Sequence, residues 1–423
     1  MRIFLFCLIL LNYIELQAQD EDFVYSNEVY DPSVETILLN KTDETADPVP
    51  LITLNSNEKL QLSFDMLRSN NEYLQYAFIH CNSDWKKSNM NRNEYLSGTF
   101  LGNIEDIQFS TNTYQEFVAY KVVFPNDDVR FTRSGNYILK VYRNFDEKDL
   151  VLTRRFMVIS PKVIVKATVN SATDVRYRFS KQEVDFEVDH KNYLIPNPFI
   201  DVKATVLQNY NWSNAITDLK PKFVNNGTLI YNHEEGNLFP GGNEFRYFDI
   251  RSLRFFSLNV QKKFIDSIKN AVLKPDETRA HLGYYNQLDY NGKRAIQNKD
   301  GTQIVEDGDY ALVHFYLRSD HEIHPEGVYI FGELSDWKLK EKYRMDYLPD
   351  KNCYYKAIKL KQSYYNYEYV TKGDEGQADH TFTEGDHFET ENDYDIFLYH
   401  KNQQYGYDEL IGYLHFNTNT NRR

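Results

Sequence analysis

The sequence predicts an all-β protein built from three consecutive β-sandwich, immunoglobulin-like domains behind a cleaved signal peptide. Three observations point there. The 34 Tyr and 28 Phe together outnumber Leu and Ala together, and aromatic and β-branched side chains suit half-buried pleated strands. Short runs that alternate apolar and polar residues recur between polar turn clusters. No amphipathic stretch with a useful length of helical period breaks the series. At 423 residues the chain has room for two to four domains, each with its own core.

The elements follow in order. MRIFLFCLILLNYIELQAQ places Arg2 before an apolar run from Ile3 to Leu11 and small or polar residues around Ala18. That is the layout of a secretory signal peptide over 1–18, and the run is far short of the ~20 residues a spanning helix needs. The first sandwich is expected over 19–160. KLQLSFDML sets Leu60, Leu62, Phe64 and Met66 on one face, and YLQYAFIH, FVAYKVVF, NYILKVYR and RRFMVI continue the pattern. Pro161 ends it. VIVKATVN, EVDFEVDH and FIDVKATVLQN open a middle sandwich expected over 161–300, whose polar tail from Lys274 to Gly301 reads as an irregular connection. ALVHFYLRS, GVYIFGEL, CYYKAIKLK, YYNYEYV and YDIFLYH make the third block, expected over 301–423.

Composition restricts function. Against 48 Lys plus Arg stand 62 Asp plus Glu, a net charge of −14, which repels phosphate backbones and disfavours nucleic acid or an anionic membrane surface as the main partner. Beyond Cys7 in the leader, only Cys81 and Cys353 remain, both in apolar strand text, where a thiol acts as a small hydrophobe. The sequence carries no G-x-S-x-G elbow, no phosphate-cradling Gly-rich loop, no H-E-x-x-H and no dinucleotide fingerprint. No catalytic, cofactor or metal site is therefore expected. DHEIH, with His321 and His324, lies between strands before Pro325 and reads as a solvated loop. The acidic run EGDHFETENDYD reads as a charged hairpin edge rather than a calcium loop, because the EF-hand ligand order is missing.

Six residues remain as candidate partner contacts. Trp85, Trp212 and Trp337 each follow a polar turn, where a ring either stacks on a ligand or closes a core. FPGGNEFRYFDIRSL adds Gly241 and Gly242, free to adopt positive φ, and Phe245.

Longer stretches carry a resemblance. HCNSDWKKSNMNRNEYLSGTF, TYQEFVAYKVVFPNDDVRFTRSGNYILKVY, LTRRFMV, FPGGNEFRYFDIRSL, VYIFGELSDW and EGDHFETENDYDIFLYH, in that order from His80 to His400, resemble the signature blocks of the type IX secretion system plug protein. The resemblance implies a non-enzymatic protein of the periplasm, held at the inner face of the outer membrane. Its implied partner is the translocon barrel of that system, whose idle pore it closes; no nucleic acid, small-molecule substrate or membrane insertion is implied. The third block is also similar to the glycogen-binding type of immunoglobulin-like module, with Trp337 at one of that family's stacking aromatics but no tryptophan near Gly373. That similarity supplies the alternative expectation, a carbohydrate-binding β-sandwich protein.

Overall fold

The computed structural model describes residues 23–42, 49–301 and 307–421. The expected leader, with Cys7 and Ala18, lies outside these residues. Among them, strands dominate and helices are single turns, so the chain is all-β.

The first sandwich pairs two sheets. One runs Glu28–Val29, Asp146–Ile159, Gly135–Arg143, Leu74–Cys81, Leu101–Asn103, and the other Val34–Lys41, Leu60–Met66, Val118–Phe124, Asp106–Phe109. The alternation read from KLQLSFDML is the buried face: Leu60, Leu62, Phe64 and Met66 are all in the core. Beside them a knot of rings fills the middle, with Phe78, Phe124, Phe131, Tyr137 and Phe156 in edge-on, tilted or stacked contact at centroid distances such as 5.0 Å for Phe78 and Phe124.

Strand pairing then crosses the boundary expected at 300/301. In the second sandwich, one sheet is Ile164–Ser171, Lys181–Asp189, Thr228–Tyr231, Phe223–Asn225. Its partner sheet is Asn211–Leu219, Val202–Gln208, Asp393–Asn402, Tyr407–Asn417. The last two long strands of the chain therefore complete a sandwich begun more than two hundred residues earlier, and Ile396, Leu398, Ile411 and Phe416 sit in its core beside Val184, Phe186 and Val206. The third sandwich is inserted between the two parts. An eleven-stranded sheet runs from Arg246–Asp249 at one edge through Ser363–Lys372 and Tyr310–Arg318 to Val260–Ile265 at the other. It curls around one core, since Phe248 on the first strand meets Phe315 on a distant one at 5.5 Å. Polar, Pro- and Gly-containing text at Lys274–Gly301 does mark irregular chain, but within this sandwich: Asp276–Glu277 and Arg294–Ile296 pair with its strands.

The three sandwiches are joined by buried contacts. Val49, Cys81, Trp85, Ile138 and Met157 of the first pack with Leu207, Phe397, Tyr399 and Leu410 of the second in one apolar cluster. The Tyr399 hydroxyl donates to Asn136 at 2.8 Å, and Ser83 donates to Asp408 at 2.6 Å. Between first and third, buried Asp65 accepts from Lys361 at 2.7 Å and from the Tyr310 hydroxyl at 2.6 Å. Lys293 and Asp393 at 2.8 Å tie third to second. Cys81 and Cys353 are both buried free thiols, and burial pushes the Cys81 thiol well up from its ordinary range.

Candidate partner-binding groove

Two clefts meet where the three sandwiches converge, and Trp337 lines both. The first, ≈ 370 Å³, is walled by Ile37–Asn40 and Arg154 from the first sandwich, Trp212 from the second, and Arg294, Asp336 and Lys338 from the third. The second, ≈ 460 Å³, is lined by Gly241, Gly242, Phe245, Glu368 and His380.

Local sequence builds the walls. Asn82-Ser83-Asp84 ends in Trp85 with the Trp85 amide donating to the Asn82 carbonyl at 2.9 Å. Gly332 to Asp336 forms a similar turn, and the Trp337 amide donates to the Gly332 carbonyl at 3.0 Å. These turns drive both indoles inward. Trp85 is 5% exposed and meets Trp212 edge-on at 4.9 Å. The Arg155 guanidinium lies over both rings, 4.3 Å from Trp85 and 5.0 Å from Trp212, while its nitrogens donate to the Tyr25 carbonyl at 3.1 and 2.8 Å. Burial brings the Arg155 pKa down to about 10, still charged at neutral pH. Trp337 is 8% exposed and packs edge-on with Phe245 at 5.9 Å and Phe331 at 5.5 Å.

The structure thus gathers the six sequence-nominated residues into two groups: Trp85 with Trp212, and Trp337 with Phe245 and the Gly241-Gly242 turn. Trp85 lies behind Trp212 and reaches neither cleft. The Gly-Gly turn is fixed from below. Gly241 donates to the Ser180 carbonyl at 2.7 Å and Gly242 to Asp386 at 2.7 Å, and a Cβ on Gly241 would fall 2.1 Å from the His387 carbonyl.

Much of the acidic run is folded inward as the partner of that turn rather than spread along a solvated edge. Glu384 is fully buried and receives Arg246 at 2.9 Å and Arg279 at 2.7 Å. Burial opposes its charge, but the two guanidinium groups hold the Glu384 carboxyl at about 2. Beside it, burial pushes Glu368 up to about 7. His380 is half-buried, and desolvation disfavours its charge, yet Asp386 and Glu368 raise it to about 9. Across the first cleft, burial works against the Asp336 carboxyl, but Arg154 and Lys340 hold it well below the usual carboxylate range. Each cation of that wall already has an acceptor: Arg154 donates to the Thr153 carbonyl at 2.8 Å, Arg294 to the Ile37 carbonyl at 2.7 Å, and Lys338 to Glu28 at 2.6 Å. Among the described residues no group of three or more His, Cys, Asp or Glu is placed to hold a metal ion. His321 and His324 lie in the turn-rich loop before Pro325.

Sequence reading missed Arg154 and Arg155, and expected Arg246 to pair with a carboxylate without finding that its partner is Glu384. The signal for the first two was present, since two adjacent arginines inside the apolar strand text LTRRFMVI have to find partners on both faces. Nothing local marks Arg246 and Glu384, which are 138 residues apart.

The fold and its groove define an all-β, multi-sandwich protein whose conspicuous chemistry is interlocking of its own parts. The family described as type 9 secretion system plug protein 1st domain matches residues 34–160, the first sandwich. A crystal structure of a hypothetical protein from Parabacteroides merdae is 32% identical, covers 93% of this chain and 99% of its own, and superposes with a TM-score of 0.88. A Pseudomonas fluorescens alkylpurine DNA glycosylase, AlkC, bound to DNA containing an abasic site analogue, matches at 10% identity over 30% of each chain with a TM-score of 0.18, too low to inform the fold. No curated protein matches. The first sandwich thus belongs to the type 9 secretion system plug protein family, which ties the chain to type IX secretion at the cell envelope. Among the described residues no helix is long and apolar enough to cross a membrane.

Proposed function

We propose that this protein is exported to the periplasm and closes the idle outer-membrane translocon of the type IX system by seating on its periplasmic mouth, without catalysing a reaction. One observation carries this reading beyond family membership: the three sandwiches are locked by buried seams into one body. A plug acts by area and stiffness. Stable association takes an interface of order 1,600 Å², and a cover made of loosely tethered domains would lose entropy on seating. Here the apolar seam around Trp85 and Phe397 and the buried Asp65–Lys361 pair leave little to order on binding. The carbohydrate-binding alternative lacks comparable support, because Trp337 is only 8% exposed, with Phe245 and Phe331 packed against its ring, whereas a sugar-stacking platform stands open.

A strain lacking this protein, and any other protein that covers an opening of the same translocon, tests the reading. Its outer membrane is expected to admit large antibiotics that the parent excludes, with the wild-type gene restoring the barrier. A strain no more permeable than its parent overturns pore closure. Co-purification of the tagged protein with the barrel from outer membranes tests the partner separately.

A further inference from the structure

The third sandwich carries an exposed apolar edge whose charge is opposite to that of the molecule. Phe255, Phe256 and Leu258 are 70%, 96% and 63% exposed, and Phe264 and Ile265 on the adjoining edge strand Val260–Ile265 are also exposed. Two neighbouring rings left in water at the tip of a loop are unusual enough to need an occupant.

The loop is built to hold them there. The Ser252 hydroxyl accepts from the Arg254 and Phe255 amides at 3.2 and 3.1 Å and donates to Asp300 at 2.5 Å, which also receives the Leu253 amide at 2.6 Å. Lys263 reaches across from the edge strand and donates to the Ser252 carbonyl at 2.8 Å, to the Ser257 hydroxyl at 2.8 Å, and to the Phe255 carbonyl. The backbone's polar groups are thus satisfied from the protein side, and the phenyl rings project away from it.

Charge selects the occupant. Residues 251–269 carry Arg251, Arg254, Lys262, Lys263 and Lys269, and the acids at this edge are Asp266, Asp249, Asp309 and the Asp300 beneath Ser252, which leaves the cations in slight excess. Arg251 is paired with Asp249 and Lys269 with Asp309, while Arg254, next to Phe255 in the chain, and Lys262, whose ammonium lies 5.1 Å from the Phe264 ring, are exposed. The net charge of −14 repels an anionic surface from the molecule as a whole, but at physiological salt charges beyond about 8 Å are screened, so a surface in contact with this edge meets the local cations. Convex aromatic tips flanked by Arg and Lys fit a lipid headgroup layer, where rings enter the acyl boundary and cations stay at the phosphates. We propose that this edge docks shallowly on an anionic phospholipid surface, holding the protein beside the membrane independently of any contact with the translocon.

Flotation of the full-length protein with vesicles of phosphatidylethanolamine and phosphatidylglycerol, against vesicles of phosphatidylcholine alone, tests this. The wild type is expected to float with the anionic vesicles and to be released by high salt, and F255S/F256S to lose at least about tenfold in bound fraction. Because both rings are exposed, the variant should melt at the wild-type temperature. Absence of flotation, or equal flotation of wild type and variant, overturns the proposal. So does a wild type that stays off vesicles while F255S/F256S alone fails to co-purify with the barrel, since the edge would then bind protein. Vesicles contain no translocon, so this outcome is separate from that of pore closure.

Discussion

Trp85 and Trp337 both take left-handed backbone, φ 61° and 55°, at the end of a Ser-Asp-Trp turn. A non-glycine residue there costs about 1–2 kcal/mol, which burial of an indole against Arg155 in one case and Phe245 in the other offsets. Ser-Asp-Trp-Lys occurs at Ser83–Lys86 and again at Ser335–Lys338, one local device used twice to turn a ring inward. Gly292 shows how closely the second is packed: at φ 78°, a Cβ there would lie 2.3 Å from the Trp337 ring and 2.8 Å from Phe245. Gly292→Ala should lower stability by about 1–3 kcal/mol through strain and overpacking, read as a fall in the denaturant midpoint with a changed Trp fluorescence. His80 gives a pH prediction. It is buried between Tyr137 and Tyr407, with Nε2 at 3.1 Å from the Ser134 carbonyl, and burial lowers its pKa from 6.5 to about 4. The neutral ring is the one the fold holds, so its contribution is complete above pH 6.5 and is lost as pH falls through 4. The loss should reach on the order of 3 kcal/mol. Melts between pH 7 and 4 check this: the slope should be steep in the wild type and shallow in His80→Gln, whatever that variant's absolute stability.

At the scale of strands, the buried Asp65–Lys361 pair joins Leu60–Met66 of the first sandwich to Cys353–Lys361 of the third. Removing one partner strands the other's charge in the seam. Asp65→Ala should cost about 3–5 kcal/mol, whereas D65L/K361M, which removes both charges, should cost much less; urea titration of the two variants distinguishes them. Strand existence was legible because alternation is local: Leu60 to Met66 announce their own buried face. Which strand pairs with which was not. Val202–Gln208 and Asp393–Asn402 are each ordinary strand text, and nothing in either indicates that they are neighbours. The same limit applies to the groove. The tryptophans could be picked out by their turns, but the arginine that lies over two of them and the guanidinium groups that draw part of the acidic run inward come from distant sequence. The exposed Phe255-Phe256 tip was invisible for the opposite reason: an aromatic pair in strand-rich text reads as core, and only the Phe255 amide donating to Ser252 and Lys263 donating to the Phe255 carbonyl turn it outward.

For the whole molecule, nesting matters more than the count of sandwiches. A chain of three consecutive domains could be divided at its linkers, each part keeping its sheets. Here a cut at 300/301 separates Arg246–Asp249 from Ser363–Lys372 and Lys269–Leu273 from Tyr310–Arg318, and leaves Asp393–Asn402 without Val202–Gln208. A 301–423 fragment would expose Tyr394, Ile396, Leu398 and Phe416, all buried in the intact protein. Their lost burial, at about 1.5–3 kcal/mol per side chain, is of the same order as the whole margin by which a domain of that size is stable. A 161–423 fragment keeps every pairing of the second and third sandwiches and gives up only the seams to the first. The expected outcome is that 161–423 shows a cooperative melt and a dispersed amide spectrum while 301–423 shows neither. A folded 301–423 fragment would mean that the third block is self-sufficient and the nested pairing is not what stabilises it. The same interdependence bears on the proposed seating at a pore: a body whose last strands complete its middle sandwich resists being pulled apart one domain at a time, because opening the second sandwich from the C-terminal end also frees the segment that closes the third around Glu384 and Arg246.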